Sequence, residues 1–401
     1  MRFGIALPPQ IKVFGAFFIY SFCMGSLYPR LPAIQQAMGV GEGALGLALI
    51  GAAFGTLVSL TFAGPVIERI GYRRTLLTAI PLLSVFYAIA VWAQGPLAFF
   101  LLLVPVGITI GCIEIIINLE ADRVEHAIGR RIMNRAHAFW SFGFFAAGMV
   151  GALVAQAGLS PQWHLALMVP VVTVISLTLL GRFEPAGHRS GGSTDAAPRF
   201  ARPTGAIMVL VGVCLSAMIL EGAGVDWSAI YMRNEFQAAP FWAGFAVALG
   251  AGAQAVARFF ADSFVDRWSP AVVARGLLAI SGIGALIVFF TPLWWLAYVG
   301  LAMIGVGTSA LFPLAMSAAA QRTDRPAAVN VAALGQVSFV VFFLAPPLLG
   351  FVAEYTGIRN SYLVCLPLLL AGLWASSFAL GNRKVVAPPH GMPPEPVPPR
   401  G

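Results

Sequence analysis

Runs of about twenty mostly apolar residues follow one another along almost the whole chain. They fall at 13–34, 44–66, 75–94, 97–119, 136–157, 163–181, 205–231, 241–260, 272–291, 294–318, 328–352 and 362–380. A helix needs about 20 such residues to cross a bilayer. Only Gln94, Gly95 and Pro96 part the third run from the fourth. Gly and Pro recur inside the runs, which spanning helices tolerate better than soluble ones do. A soluble domain carries roughly 25% charged residues, whereas 10% of these 401 residues are charged and 59% are hydrophobic. One or two soluble cores could not bury that surface, so twelve transmembrane helices are expected.

Basic residues set the orientation. With the N-terminus in the cytoplasm and alternating loops, Arg30, Arg233, Arg258 and Arg359 alone fall off the cytoplasmic side, leaving 20 of the 24 Lys and Arg on it. This positive-inside pattern predicts an even number of crossings in a bacterial inner membrane, with both termini cytoplasmic. The first run is expected to stay in place as helix 1 rather than be cleaved as a signal peptide. The net charge of +8 then sits in short loops, where it meets anionic lipid rather than nucleic acid. Cys23, Cys112, Cys214 and Cys365 lie within apolar runs, without metal-ligand spacing, and read as packing residues. His126, His137, His164, His188 and His390 are scattered, and no Gly-Lys phosphate cradle is present. These features argue against an enzyme, a cofactor or a metal. They also argue against nucleotide-driven transport.

Residues 183–203, FEPAGHRSGGSTDAAPRFARP, have the composition of a flexible linker, and residues 388–401 are proline-rich. The expected organisation is an N-terminal six-helix bundle over 1–182, a cytoplasmic linker over 183–203, a C-terminal bundle over 204–382 and a disordered tail over 383–401. The two bundles repeat. Shifting the first half by 198 residues lays Phe62, Ala63 and Arg69 on Phe260, Ala261 and Arg267. It also lays Gly46 on Gly244, Ala48 on Ala246 and Gly107 on Gly305. Parallel halves of this kind are a transporter architecture. The fold class expected is an all-α membrane protein with twelve helices in two pseudo-symmetric bundles.

Residues 64–74, GPVIERIGYRR, carry Gly64, Glu68, Arg69, Gly71, Arg73 and Arg74 in a spaced pattern, with a degraded second copy ending at Asp266 and Arg267. This resembles the signature between helices 2 and 3 of the major facilitator superfamily, with Glu68 in place of the usual Asp. The resemblance covers nearly the whole chain and implies a secondary transporter working by alternating access. A finer resemblance rests on helices 4 and 5. Gly107, Gly111, Glu114 and Asn118 precede Asn134, His137, Ser141 and Gly143, which is similar to the fucose/proton symporter branch and its bacterial relatives. That branch implies substrate binding and proton coupling by Glu114. Helix 1, reading FCMGSLYPRLP, has no counterpart of the acid found there in the fucose symporter, so fucose itself is not implied. Helix 5 reads GFFAAGMVGALV, with Met149 where the antiporter signature has Pro, which weakens an efflux reading.

Charges inside a bilayer each cost about 2.5–3.5 kcal/mol at a helix centre, so each needs a partner or a wet cavity. Glu114, Asn118, Glu221 and His137 are the candidates for proton coupling and substrate binding. Arg30 and Asp226 are expected to pair as an outer gate. Glu68 is expected to accept hydrogen bonds from a neighbouring helix N-terminus, and Arg69, Arg73 or Arg74 to pair with Glu120, Asp122 or Glu125, together latching the cytoplasmic side. Arg258 and Asp262, four residues apart on helix 8, are expected to form an internal ion pair. The partners expected are a small organic solute, protons and lipid, around a monomer. A proton-driven efflux antiporter is the alternative reading, and a non-transporting membrane sensor a more distant one.

Overall fold

Many of the long helices open on proline. Pro9, Pro96, Pro161, Pro240 and Pro270 each occupy a first turn. The missing N–H costs nothing there, because the first amides of a helix have no partner anyway. The helix that opens at Pro96 is capped by Gly129, whose φ of 64° is left-handed and suits glycine.

A computed structural model describes residues 4–130, 132–187 and 201–380. Among these residues it holds twelve helices long and apolar enough to span a membrane, and no strands. They are helix 1 (Pro9–Met38), helix 2 (Glu42–Phe62), helix 3 (Tyr72–Ala90), helix 4 (Pro96–Ile128), helix 5 (Arg135–Gln156) and helix 6 (Pro161–Leu180). The second half follows as helix 7 (Gly205–Phe236), helix 8 (Pro240–Ala261), helix 9 (Pro270–Phe290), helix 10 (Trp294–Ala320), helix 11 (Val329–Thr356) and helix 12 (Asn360–Ala379). The side on which helix 1 begins and helix 12 ends is termed cytoplasmic, after the pattern of basic residues, and the opposite side outer.

Helix 4 runs well beyond the expected end at 119, because Glu120, Asp122, Arg123 and Glu125 continue it out of the apolar layer. Glu120 and Arg123 pair one turn apart at 3.3 Å. Glu114 consequently lies near the middle of helix 4. Three helices are irregular where chemistry gathers. Helix 1 tightens into a 3₁₀ turn at Tyr28–Arg30 around Pro29. Helix 7 widens into a π-turn at Ala223–Trp227, and helix 10 breaks at Ser309 and Ala310. The stretch read as a linker is anchored at both described ends. Ala186 N donates to Glu120 Oε2 and Ala201 N to Gln336 Oε1. Residues 188–200 and the tail from 381 lie outside the described residues.

The internal repeat has a packing basis. Helices 2, 3 and 4 begin at 42, 72 and 96, and helices 8, 9 and 10 at 240, 270 and 294, so each pair differs by 198. Gly107 lets helix 4 cross helix 2 at Ala52, and Gly305 lets helix 10 cross helix 8 at Gly250. Any side chain at Gly107 or Gly305 would run into the facing carbonyl. Between the halves, helix 2 packs on helix 11 and helix 5 on helix 8. Small residues again mark the contacts, with Gly46 against Pro346 and Gly148 against Ala248. Without a hydrophobic driving force between helices in lipid, such close approaches supply the packing attraction. Trp92, Trp163, Trp294 and Trp295 are exposed near the outer ends, as an aromatic belt requires.

Candidate functional site

Gly107, Gly111, Glu114 and Asn118 fall on one stripe of helix 4, at spacings of four, three and four. The two glycines seat helix 4 against Ala52, Thr56 and Ser59 of helix 2. The same stripe then carries Glu114 and Asn118 toward helix 1. Asn118 Nδ2 donates to Glu114 Oε2 at 2.8 Å and to the Glu114 carbonyl at 2.9 Å. Tyr20 of helix 1 lies against the same carboxylate. Among the described residues no basic side chain bonds Glu114.

The second half presents a different cluster. Glu221 lies midway along helix 7 yet keeps 29% of its side chain exposed, so water reaches the protein's interior there. Gln254 Nε2 donates to Glu221 Oε1 at 2.7 Å, and Arg258 Nη2 stands 3.6 Å from the same oxygen. Gln254 and Arg258 are four apart on helix 8 and share the face toward helix 7. Arg258 Nε donates at 2.8 Å to the Ser309 carbonyl, which the break in helix 10 leaves available. Arg258 Nη1 donates at 2.9 Å to Ser141 Oγ on helix 5, in the other half. Arg258 thus has Glu221 as an intramembrane partner; the expected partner Asp262 has its side chain outside the described residues. His137 lies one turn before Ser141, whose hydroxyl donates to its carbonyl. Its ring packs edge-on against Phe17, with centroids 5.1 Å apart.

The expected outer gate is not formed by its predicted pair. Arg30 is 3% exposed, and its Nη2 donates to the Leu159 carbonyl in the loop between helices 5 and 6 of its own half. The turn at Pro29 points it that way. Asp226 is half-buried in the π-turn of helix 7, within electrostatic reach of Tyr28, Tyr87 and Tyr362. Other residues close the outer side. Arg233 donates to the Pro32 carbonyl and, at 2.8 Å, to Gln35 Oε1. Asn234 Nδ2 donates to Glu42 Oε1 at 3.0 Å, and Gly43 N to Glu354 Oε2 at 2.7 Å. Phe241 N donates to Gln156 Oε1 at 3.1 Å. The signal available for this was Arg233, one of the four basic residues off the cytoplasmic side. A crevice of about 420 Å³ lined by Gln35, Gln36, Gly39, Val40, Glu42 and Arg233 sits on this closure and holds none of the intramembrane acids.

The cytoplasmic residues are also rearranged. Glu68, Arg69 and Arg74 are exposed, and Arg73 Nη2 donates to the Gly181 carbonyl at the end of helix 6. Glu120 pairs with Arg123, whose guanidinium stands 4.9 Å from the centre of the Tyr72 ring. Glu125 Oε2 accepts from Ile132 N at 2.7 Å and Met133 N at 3.0 Å, capping helix 5, where the dipole favours an anion. Asp122 lies on the cytoplasmic extension of helix 4. Arg73 thus binds a helix end, Glu120 pairs with Arg123, which in turn packs on Tyr72, and Glu125 caps helix 5. Of the described bonds between the halves, most lie at the outer ends and the deepest is Arg258 to Ser141. The structure is closed on the outer side.

Two repeated six-helix halves meeting around buried charges define a membrane transporter. The sequence model of the Major Facilitator Superfamily matches residues 13–220 and again 209–400, and the chain belongs to that superfamily. An uncharacterized MFS-type transporter of Yersinia pestis is 28% identical over 372 residues, covering 92% of this chain and 95% of that one. Among solved structures, the nucleoside transporter NupG superposes with a TM-score of 0.66 at 13% identity, over 93% of this chain and 98% of NupG. A variant of the Escherichia coli fucose:proton symporter FucP gives 0.60 at 18% identity, over 92% and 98%. The solved structures share its fold, and membership of the superfamily makes it a membrane transport protein.

Proposed function

We propose that the chain is a secondary active transporter that moves a small organic solute, sugar-like or another metabolite, and couples it to protons through Glu114. The observation carrying this reading is a carboxylate in the middle of helix 4 that is held by an amide and a phenol and, among the described residues, bonded to no cation. Such an acid is costly when charged and is relieved by taking up a proton. In the second half, Arg258 is already paired with Glu221, so the exchangeable charge is assigned to Glu114. Asn118 and Tyr20 hold that carboxylate in place. Glu221 and His137 contribute to the solute-binding surface. The halves 1–182 and 204–382 rock about the site, with the linker between them. The test is flux in proteoliposomes after a ligand screen by thermal shift. Glu114→Gln is expected to abolish accumulation driven by a pH gradient while leaving exchange between substrate pools. Full gradient-driven accumulation by the variant would rule the role out.

A further inference from the structure

The crevice of about 420 Å³ at the outer rim is built by both halves. Gln35, Gln36, Gly39 and Val40 line it from the end of helix 1, Glu42 from the start of helix 2 and Arg233 from helix 7. Its two charged groups are only partly used. A guanidinium has five N–H donors. Arg233 gives one from Nε to Asn234 Oδ1 at 3.0 Å, one from Nη1 to the Pro32 carbonyl and one from Nη2 to Gln35 Oε1 at 2.8 Å. Each terminal nitrogen keeps one further N–H. Glu42 accepts through Oε1 from Asn234 Nδ2 at 3.0 Å, and among the described residues its Oε2 accepts nothing. Both side chains keep part of their surface accessible.

The Asn234 amide fixes the spacing of the two charges. Its oxygen and nitrogen are about 2.3 Å apart by standard bond lengths. With a 3.0 Å bond on each side, Arg233 Nε and Glu42 Oε1 are no more than about 8 Å apart. In an α-amino acid the ammonium nitrogen and the nearer carboxylate oxygen are about 3 Å apart. A charge-assisted bond of about 2.8 Å at each end extends that to about 8.5 Å. A simple cation or a simple anion would use one end alone. Val40 and the open space over Gly39 leave room beside the charges for an apolar side chain.

We propose that the crevice binds a zwitterion of α-amino-acid type, with its ammonium on Glu42 Oε2 and its carboxylate on the remaining N–H groups of Arg233. The bound zwitterion ties helix 2 to helix 7, so it is held only while the outer ends meet. Occupancy therefore favours the form closed on the outer side. The site is regulatory and separate from the intramembrane acids, none of which lines the crevice.

The test is calorimetric titration of the purified full chain with L-leucine, isoamylamine and isocaproate. The last two are leucine without its carboxylate and leucine without its ammonium. L-leucine is expected to bind saturably in the millimolar range, as part-exposed charges allow, and each single-charge analogue at least tenfold more weakly. Glu42→Gln keeps an acceptor for Asn234, removes the charge and should weaken leucine binding tenfold or more. If that variant does not fold, Gln36→Trp decides the matter. It fills the crevice from an exposed position and should abolish binding with little change in Tm. Leucine should also slow hydrogen exchange in the first turn of helix 2 and in Ser228–Phe236 at the end of helix 7 together. The proposal is overturned if the parent binds no leucine or binds either analogue as well. It is equally overturned by undiminished leucine binding in Glu42→Gln or Gln36→Trp, or by protection confined to the midplane of the helices.

Discussion

Arg233→Ala tests whether the outer bonds hold the transporter shut. Arg233 reaches from helix 7 to the Pro32 carbonyl and to Gln35 Oε1 on helix 1, so it bonds only while the outer ends meet. Hydrogen bonds to a charged group are worth about 1.5–3 kcal/mol each when shielded. Arg233 is only half-buried, which reduces each bond to about 1 kcal/mol. Removing both should move the balance toward the outward-open state by about 2 kcal/mol, or about 30-fold at 1.4 kcal/mol per decade. The assay is a spin–spin distance between labels at Gln36→Cys on helix 1 and Ala239→Cys beside helix 8. The background should have Cys23, Cys112, Cys214 and Cys365 replaced. The parent is expected to give one short distance, and Arg233→Ala a dominant longer one. Gln35→Ala, which removes one of the two bonds, should fall between them. An unchanged distance distribution in Arg233→Ala would refute the reasoning, because the helix contacts alone would then account for closure.

Glu221→Gln leaves the Arg258 charge without its counter-charge and should cost about 2 kcal/mol, allowing for the part-exposed site. The double variant with Arg258→Gln should regain most of the lost Tm while remaining inactive in flux. Gly305→Val drives a branched side chain into the Gly250 carbonyl and should destabilise the second half by about 1–3 kcal/mol. Gly335→Ala on helix 11, with open space around the added carbon, should be neutral or mildly stabilising by comparison of Tm.

The spans and their pairing into halves were legible because hydropathy and small-residue spacing act locally and repeat. Gly107 and Gly305 matched in sequence at the offset that the two helix crossings use. The pair Glu114 and Asn118 was legible for the same reason, since residues four apart on a helix face the same way. Partners on different helices were not. Glu221 was not foreseen as a partner of Arg258, because it lies on another helix beside a π-turn that is not written in periodicity. Arg30 and Asp226 lie at comparable positions along helices 1 and 7, yet the 3₁₀ turn at Pro29 sends Arg30 into its own half. The cytoplasmic carboxylates were read as partners for the loop at 64–74. Helix 4 runs far enough for Glu120 to pair with Arg123 one turn on and for Glu125 to cap helix 5, partners that an end at 119 would not have brought into view.

The bond from Arg258 to Ser141 also has a mechanical meaning. It lies 17 residues along helix 8 from the Phe241 tie to Gln156, a lever arm of about 25 Å at 1.5 Å per residue. A relative rotation of roughly 10° about that point, within the range seen for rocking domains, would carry the outer ends about 4 Å apart. Hydrogen bonds at the rim would all part, while one at the fulcrum would merely swivel. The guanidinium can keep hold of Ser141 through such a stroke, so the two halves stay registered at depth while the rim lets go.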